Sequence, residues 1–280
     1  MSDSFTVAAL LARAAREQPE ALAVAMPSGP RGARRTYQQT TFKQLHQESD
    51  RLAAGMLRSG IQPGMPIVLM VPFSTSFIRW VFALLKSGAV MVLVDPGMGR
   101  RNMIRCLQKV EPQGFIGISR VQALRCLLRA RFPLARHNIT VGRRWFWGGP
   151  TERQLARHQE GEFDSFPAGA DDPAAVIYTT GSTGPPKGVF YQHGNFFQQV
   201  KQIQQHYSIK QGDVDLPAFP LFGLFNAAMG VSSIIPAMDP SRPATVDPRE
   251  IIEPIQQWKV NQSFGSPALW DVVGRYCEQE

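Results

Sequence analysis

Three apolar runs limit most strongly what this chain can fold into: PIVLMVP at 66–72, VMVLVDP at 90–96 and GFIGIS at 114–119. None alternates apolar with polar residues over its core, so each reads as a strand covered on both faces. Helical patterns separate them, from about Thr75 to Lys86 and near Arg101–Val110. Strand, helix and strand in strict order imply right-handed crossovers and an α/β fold, with mainly parallel sheets and helices on both faces.

The flanking sequence extends this pattern. Phe5–Glu17 is apolar at helical spacing, and Ala21–Met26 and Arg35–Gln39 read as two strands around PSGPRG. Thr41 and Gln44 form a capping-box pair ahead of a helix whose apolar face carries Phe42, Leu45, Leu52 and Met56, with Gly60 as its stop. A basic helix over 121–131 precedes a strand at 138–142. Residues 143–172 lack periodicity and read as a long surface connection. Beyond them come a strand at 174–179, a helix from about Asn195 to Tyr207 and a strand near Leu216–Phe219. A small-residue helix follows around Phe225–Ile234, then a helix near Pro248–Lys259, a strand Asn261–Phe264 and a helix Pro267–Cys277. The break at 143–172 suggests two subdomains, 1–172 and 173–280.

Composition bounds the class. With 280 residues, 44% hydrophobic and 19% charged, the chain reads as globular and large enough to need neither metal nor disulfide for stability. Cys106, Cys126 and Cys277 are scattered without metal-ligand or redox spacing, which suits reduced thiols in the cytoplasm. The N-terminus lacks a basic n-region, and apolar runs such as Trp80–Leu85 fall far short of the ~20 residues that span a bilayer. That leaves at most peripheral contact with a membrane. Net charge is +8, and eleven arginines fall between Arg101 and Arg157. Such a cluster suits an anionic partner, whether nucleic acid, CoA, an acidic protein or a membrane surface. With no nucleic-acid motif beside it, a solvated face is the simpler reading and nucleic acid is not an expected partner.

The densest chemistry lies in YTTGSTGPPKGV, directly after the 174–179 strand. Gly181 and Gly184 let backbone N–H groups approach a ligand, and Thr179, Thr180, Ser182 and Thr183 add hydroxyls. Lys187 adds a compact positive charge after the stiffening pair Pro185 and Pro186. At the carboxyl end of a parallel strand, these groups suit a polyphosphate. The pattern is not a Walker loop, because Pro186 and Gly188 flank the lysine where glycine and a hydroxyl residue are required.

The string resembles the phosphate-loop signature of the adenylate-forming superfamily, which contains acyl-CoA synthetases, luciferases and peptide-synthetase adenylation domains. The likeness runs along the whole chain. TFKQLHQESDRLAAGMLRSGI resembles the family's first helix, and FALLKSGAVMVLVDP a helix–strand motif of it. FPLFGLF resembles its acyl-pocket segment. LVDPGMGRR, VDLPAFPLFGLF, IIPAMDPSRPATVDPR and FGSPAL are most similar to the olefin-biosynthesis branch, the β-lactone synthetases.

The resemblance implies ATP and Mg2+ as cofactors, an acyl-adenylate intermediate, and a 2-alkyl-3-hydroxy fatty acid closed to a β-lactone. A long-chain acyl-CoA or acyl-AMP ligase is the enzymatic alternative, and a non-catalytic acyl- or partner-binding module the other. It assigns phosphate binding to Thr179, Thr180, Gly181, Ser182, Thr183, Gly184 and Lys187, with Thr183 also toward Mg2+. Phe222, Gly223, Leu224 and Phe225 would wall the acyl pocket. Gly223 replaces a histidine common in acyl-CoA synthetases and would open space for an α-branched chain. His193 reads as a helix-opening structural residue. Thiolase-like and reductase enzymes are the partners implied. The family's Tyr-Gly-x-Thr-Glu segment, ribose-binding Asp and adenylating Lys are expected beyond residue 280. The chain then corresponds to an incomplete N-terminal domain that binds ATP weakly by itself.

Overall fold

The computed structural model describes residues 6–29, 35–158, 163–179 and 186–279. In chain order the elements are α1 (Val7–Glu17), β1 (Leu22–Ser28), β2 (Thr36–Thr41), α2 (Phe42–Arg58), β3 (Pro66–Met70), α3 (Thr75–Ser87) and β4 (Val90–Val94). Next come α4 (Arg100–Val110), β5 (Gly114–Ile118), α5 (Ser119–Leu127), β6 (His137–Val141), α6 (Glu152–Leu155), β7 (Pro173–Thr179) and β8 (Lys187–Gln192). The last are α7 (His193–His206), β9 (Val214–Pro217), α8 (Pro220–Met229), β10 (Ser232–Ile234), α9 (Arg249–Trp258), β11 (Gln262–Phe264) and α10 (Pro267–Cys277).

The chain divides into two compact units, each assembled from separate stretches of sequence. One contains Gln47–Pro72 and Arg79–Gln198, and the other Ala9–His46, Phe73–Ile78 and Gln199–Glu280. The strands therefore do not sort at residue 172. The first unit holds a sheet of order β6-β5-β3-β4-β7-β8, so β7 and β8 complete the sheet begun by β3. In the second, the order β11-β9-β10-β1-β2 joins the first two strands of the chain to the last three. Pairing between distant segments decides membership, and a linear break in composition carries no information about it.

Both sheets are parallel except at one edge, where β8 runs antiparallel to β7 and β2 antiparallel to β1. The expected mainly parallel α/β architecture is thus what forms. The apolar runs sit where two-sided burial places them: Ile67, Val68, Met91, Val92 and Ile116 are all fully buried. The capping box ahead of α2 is closed in both directions. Thr41 N donates to Gln44 Oε1 at 3.0 Å, and Gln44 N to Thr41 Oγ1 at 3.2 Å. Phe42, Leu45, Leu52 and Met56 are buried, and Gly60 follows the helix at φ 89°, a conformation that favours glycine.

Three segments differ from the sequence reading. Lys187–Gln192 is a strand rather than the tail of a loop. The small-residue helix begins at Pro220, with proline in its first turn, and stops at Gly230 in the left-handed conformation. Ser232–Ile234 is then a strand rather than helix. The 143–172 connection is anchored as well as long. Trp147 Nε1 donates to Thr140 Oγ1 at 2.8 Å, Thr140 N to Pro150 O at 3.0 Å, and α6 opens with its own capping box at Thr151.

Candidate functional site

β7 and β8 form a hairpin in which Thr179 lies opposite Lys187. β7 is parallel to β4, so the hairpin mouth stands at the carboxyl end of the parallel strands of its sheet, where ligands of such sheets bind. Thr179 and Lys187 are both exposed there. Thr180, Gly181, Ser182, Thr183, Gly184 and Pro185 lie outside the described residues.

The hairpin is tied to its sheet below the mouth. Tyr178 is buried in a cluster with Val68, Val92, Met98, Cys106 and Leu107, and burial raises its hydroxyl pKa. Gly188 packs on the Tyr178 ring so closely that a Cβ would lie 2.9 Å from Cε1. Glycine after the lysine therefore serves strand packing. Beside the hairpin, Asp95 N donates to Tyr178 O at 3.3 Å, while Asp95 Oδ1 accepts from Gly97 N at 2.8 Å.

His193 opens α7 and is buried. Burial pushes its pKa down against the pull of Asp172, so the ring is neutral at pH 7. His193 N donates to Asp172 O at 3.0 Å. This environment suits the structural role expected of it.

In the other unit, Phe222, Gly223, Leu224 and Phe225 lie in the first half of α8. Successive helical residues are about 100° apart, so these four cannot all face one cavity. Phe222 stacks on Phe264 with ring centroids 3.6 Å apart, whereas Gly223 and Leu224 are buried. Gly223 leaves no empty space of its own. A Cβ there would meet Phe73 Cζ at 2.6 Å and Pro217 Cγ at 3.3 Å, so the Phe73 ring occupies the room that glycine creates. Phe73 also lines a cavity of about 420 Å³, with Met26, Pro27, Ile235, Met238 and Val246 around it and Asp239 and Asp247 among its lining residues. That volume is within the ~300–1,000 Å³ of small-molecule sites. Phe73 was invisible to sequence reasoning because its partner in this contact is 150 positions away.

Among the described residues no group of three His, Cys, Asp or Glu could cage a metal ion. Mg2+ needs no such cage, since one or two protein ligands and the substrate phosphates suffice. Nor is any described helix long and apolar enough to cross a membrane.

Comparison with known proteins gives a consistent picture. The family described as AMP-binding enzyme matches residues 11–279. The chain is 44% identical over 280 residues to the olefin beta-lactone synthetase of Xanthomonas campestris pv. campestris, covering 99% of this chain and 50% of that protein. It is 43% identical over 281 residues to the olefin beta-lactone synthetase of Stenotrophomonas maltophilia, again 99% against 50%. The chain thus spans about half the length of these curated relatives. Among solved structures, a long-chain-fatty-acid-CoA ligase from Archaeoglobus fulgidus superposes with a TM-score of 0.83 at 19% identity, covering 100% of this chain and 55% of that one. The N-terminal domain of FACL13 from Mycobacterium tuberculosis gives 0.78 at 21%, covering 96% and 64%. At these identities the two structures establish the fold.

Proposed function

This chain belongs to the AMP-binding enzyme family, and from that premise we propose that it forms the phosphate-gripping half of an ATP-dependent adenylate-forming ligase that makes a β-lactone. The observation that carries the reading is the 44% identity over 99% of the chain to an olefin beta-lactone synthetase. The substrate is a 2-alkyl-3-hydroxy fatty acid. Its carboxylate oxygen attacks the α-phosphorus of ATP and pyrophosphate leaves. The 3-hydroxyl oxygen then attacks the acyl carbon, its proton passes to solvent, and AMP departs as the four-membered ring closes. Holding the hydroxyl against the carbonyl is the main task of the protein in the second step.

Thr179 and Lys187, facing each other across the hairpin mouth, bracket the phosphate grip. Thr180, Gly181, Ser182, Thr183 and Gly184 would supply the remaining donors, and Thr183 the protein ligand for Mg2+, which neutralises charge on the phosphates when bound. Phe222 and Phe225 on α8, with Phe73 beside Gly223, would wall the acyl chain. An acyl-CoA ligase is the competing reading, because the fold is shared with a long-chain-fatty-acid-CoA ligase.

The test uses a chimera of this chain with the C-terminal half of its Xanthomonas relative. Incubated with ATP and a 2-alkyl-3-hydroxy acid, it is expected to release pyrophosphate and AMP and to form lactone without CoA, as read by mass spectrometry. A thioester formed only with CoA would favour the ligase reading. Lys187→Ala is expected to lower kcat/KM for ATP by at least tenfold, and unchanged kinetics would remove Lys187 from the grip.

A further inference from the structure

The edge of the first unit's sheet carries a surface that the nucleotide and acyl chemistry does not use. From 112 to 151 the chain runs for 40 residues without an Asp, Glu or Lys, yet contains seven arginines. These residues build β5, α5 and edge strand β6 and then turn back along β6. α5 lies across the two strands, because Gln122 Nε2 donates to Phe115 O at 3.0 Å and to Ile139 O at 2.9 Å. Arg120, Leu124 and Leu127 share its exposed face at helical spacing, and Leu127 is 81% exposed.

At the other end of α5 stands the loop RRWFW. Ser119 Oγ donates to Arg143 O, which fixes the loop beside the start of α5. Buried Trp147 pins it to Thr140, and Arg144 Nη1 donates to Gly149 O at 2.5 Å. Trp145 and Phe146 pack against Trp147 with centroids 5.4 and 5.1 Å away, yet are themselves 52% and 79% exposed. The loop is therefore held with two largely exposed aromatic rings next to Arg143 and Arg144 in the chain.

We propose that this face binds the surface of an anionic lipid bilayer. Arginines meet lipid phosphates, tryptophan sits at the headgroup level, and Phe146 and Leu127 reach the acyl boundary. The apolar tips stand at both ends of α5 with arginines around them. A flat, negatively charged, apolar-cored surface meets that arrangement, whereas water alone leaves the apolar tips unsatisfied.

The test is co-sedimentation of the 280-residue chain with vesicles of phosphatidylcholine alone and of phosphatidylcholine with 30% phosphatidylglycerol, an amount on the order of cytoplasmic-leaflet charge. Binding is expected to the anionic vesicles, to weaken as salt rises, and to fall at least tenfold in Trp145→Ser/Phe146→Ser. Arg143→Gln is expected to cost about fivefold. Should the double variant fail to fold, bromolipid quenching of tryptophan fluorescence carries the test, since Trp145→Phe in the intact chain should reduce it, leaving the share of Trp147. No binding to anionic vesicles, binding indifferent to Trp145 and Phe146, or retention of an acidic protein with vesicles ignored would each overturn the proposal.

Discussion

Each unit contains a buried polar cluster, Lys86 with Asp50 in the first and Asp215 with Asn226 in the second, and these two are built on opposite principles. In the first, Lys86 at the end of α3 is fully buried, with Nζ 2.6 Å from Asp50 Oδ1 and 2.8 Å from Ser49 Oγ. Burial lowers its pKa to about 8, with Asp50 opposing the shift, so the ammonium keeps its charge at pH 7. In the second, Asp215 on β9 meets an amide. Asn226 Nδ2 on α8 lies 2.5 Å from Asp215 Oδ2 and 3.0 Å from Ser233 Oγ on β10. Burial raises Asp215 to about 6, and the amide only partly offsets it. An ion pair holds both charges in place, while a charge met by a dipole stays a liability.

Breaking the ion pair should have the largest effect. Lys86→Ala leaves Asp50 without its cation and is expected to cost about 3–5 kcal/mol of unfolding free energy in urea titrations. A loss below about 1 kcal/mol would show that water replaces the ammonium easily. Neutralising the second cluster should act in reverse. Asp215→Asn keeps a hydrogen-bonding side chain and removes the buried charge, so it is expected to stabilise by about 1–3 kcal/mol at pH 7. Its advantage should shrink toward pH 4. A raised carboxyl pKa means the native state holds a proton the unfolded chain has lost, so the wild type loses stability as pH rises from about 3.8 to about 6.

Lys86 predicts a second window. Its native pKa lies below the unfolded value of 10.5, so between about 8 and 10.5 the unfolded chain binds more protons. The contribution of this lysine therefore improves with pH there, by at most about 1.4 kcal/mol per pH unit, and Lys86→Met should abolish that component. The smallest difference concerns the hydroxyls. Ser49→Ala removes a bond to a charged group and should cost about 1.5–3 kcal/mol, whereas Ser233→Ala removes a neutral one and should cost about 0.5–1.5 kcal/mol. Equal losses would erase the distinction between the clusters.

Legibility in the sequence followed the range of the interaction. The Thr41–Gln44 box, the Gly60 stop and α10, opened by Ser266 accepting from Leu269 N at 3.3 Å, rest on neighbours within a turn and could be read directly. Strand β10 has three residues, too few to display a period, and its parallel partners β1 and β9 come from distant parts of the chain. β8 was hidden because its lysine belongs to a motif that reads as loop, although VFY within it favours a strand. The candidate site shows the same division. Its residue types were evident as a string, while the opposition of Thr179 to Lys187 and the packing of Gly188 on Tyr178 depend on the hairpin.

By itself the sequence determined the α/β class and most elements, because periodicity and caps are local, and it displayed the glycine- and hydroxyl-rich string of the candidate site. Tertiary structure alone decided that β1 and β2 share a sheet with β9, β10 and β11, and that Phe73 fills the space beside Gly223. It also decided that Lys86 gained a carboxylate where Asp215 gained an amide. Those outcomes depend on which distant segments exclude water from one another, and burial sets the worth of a charge or a missing side chain only once that exclusion is complete.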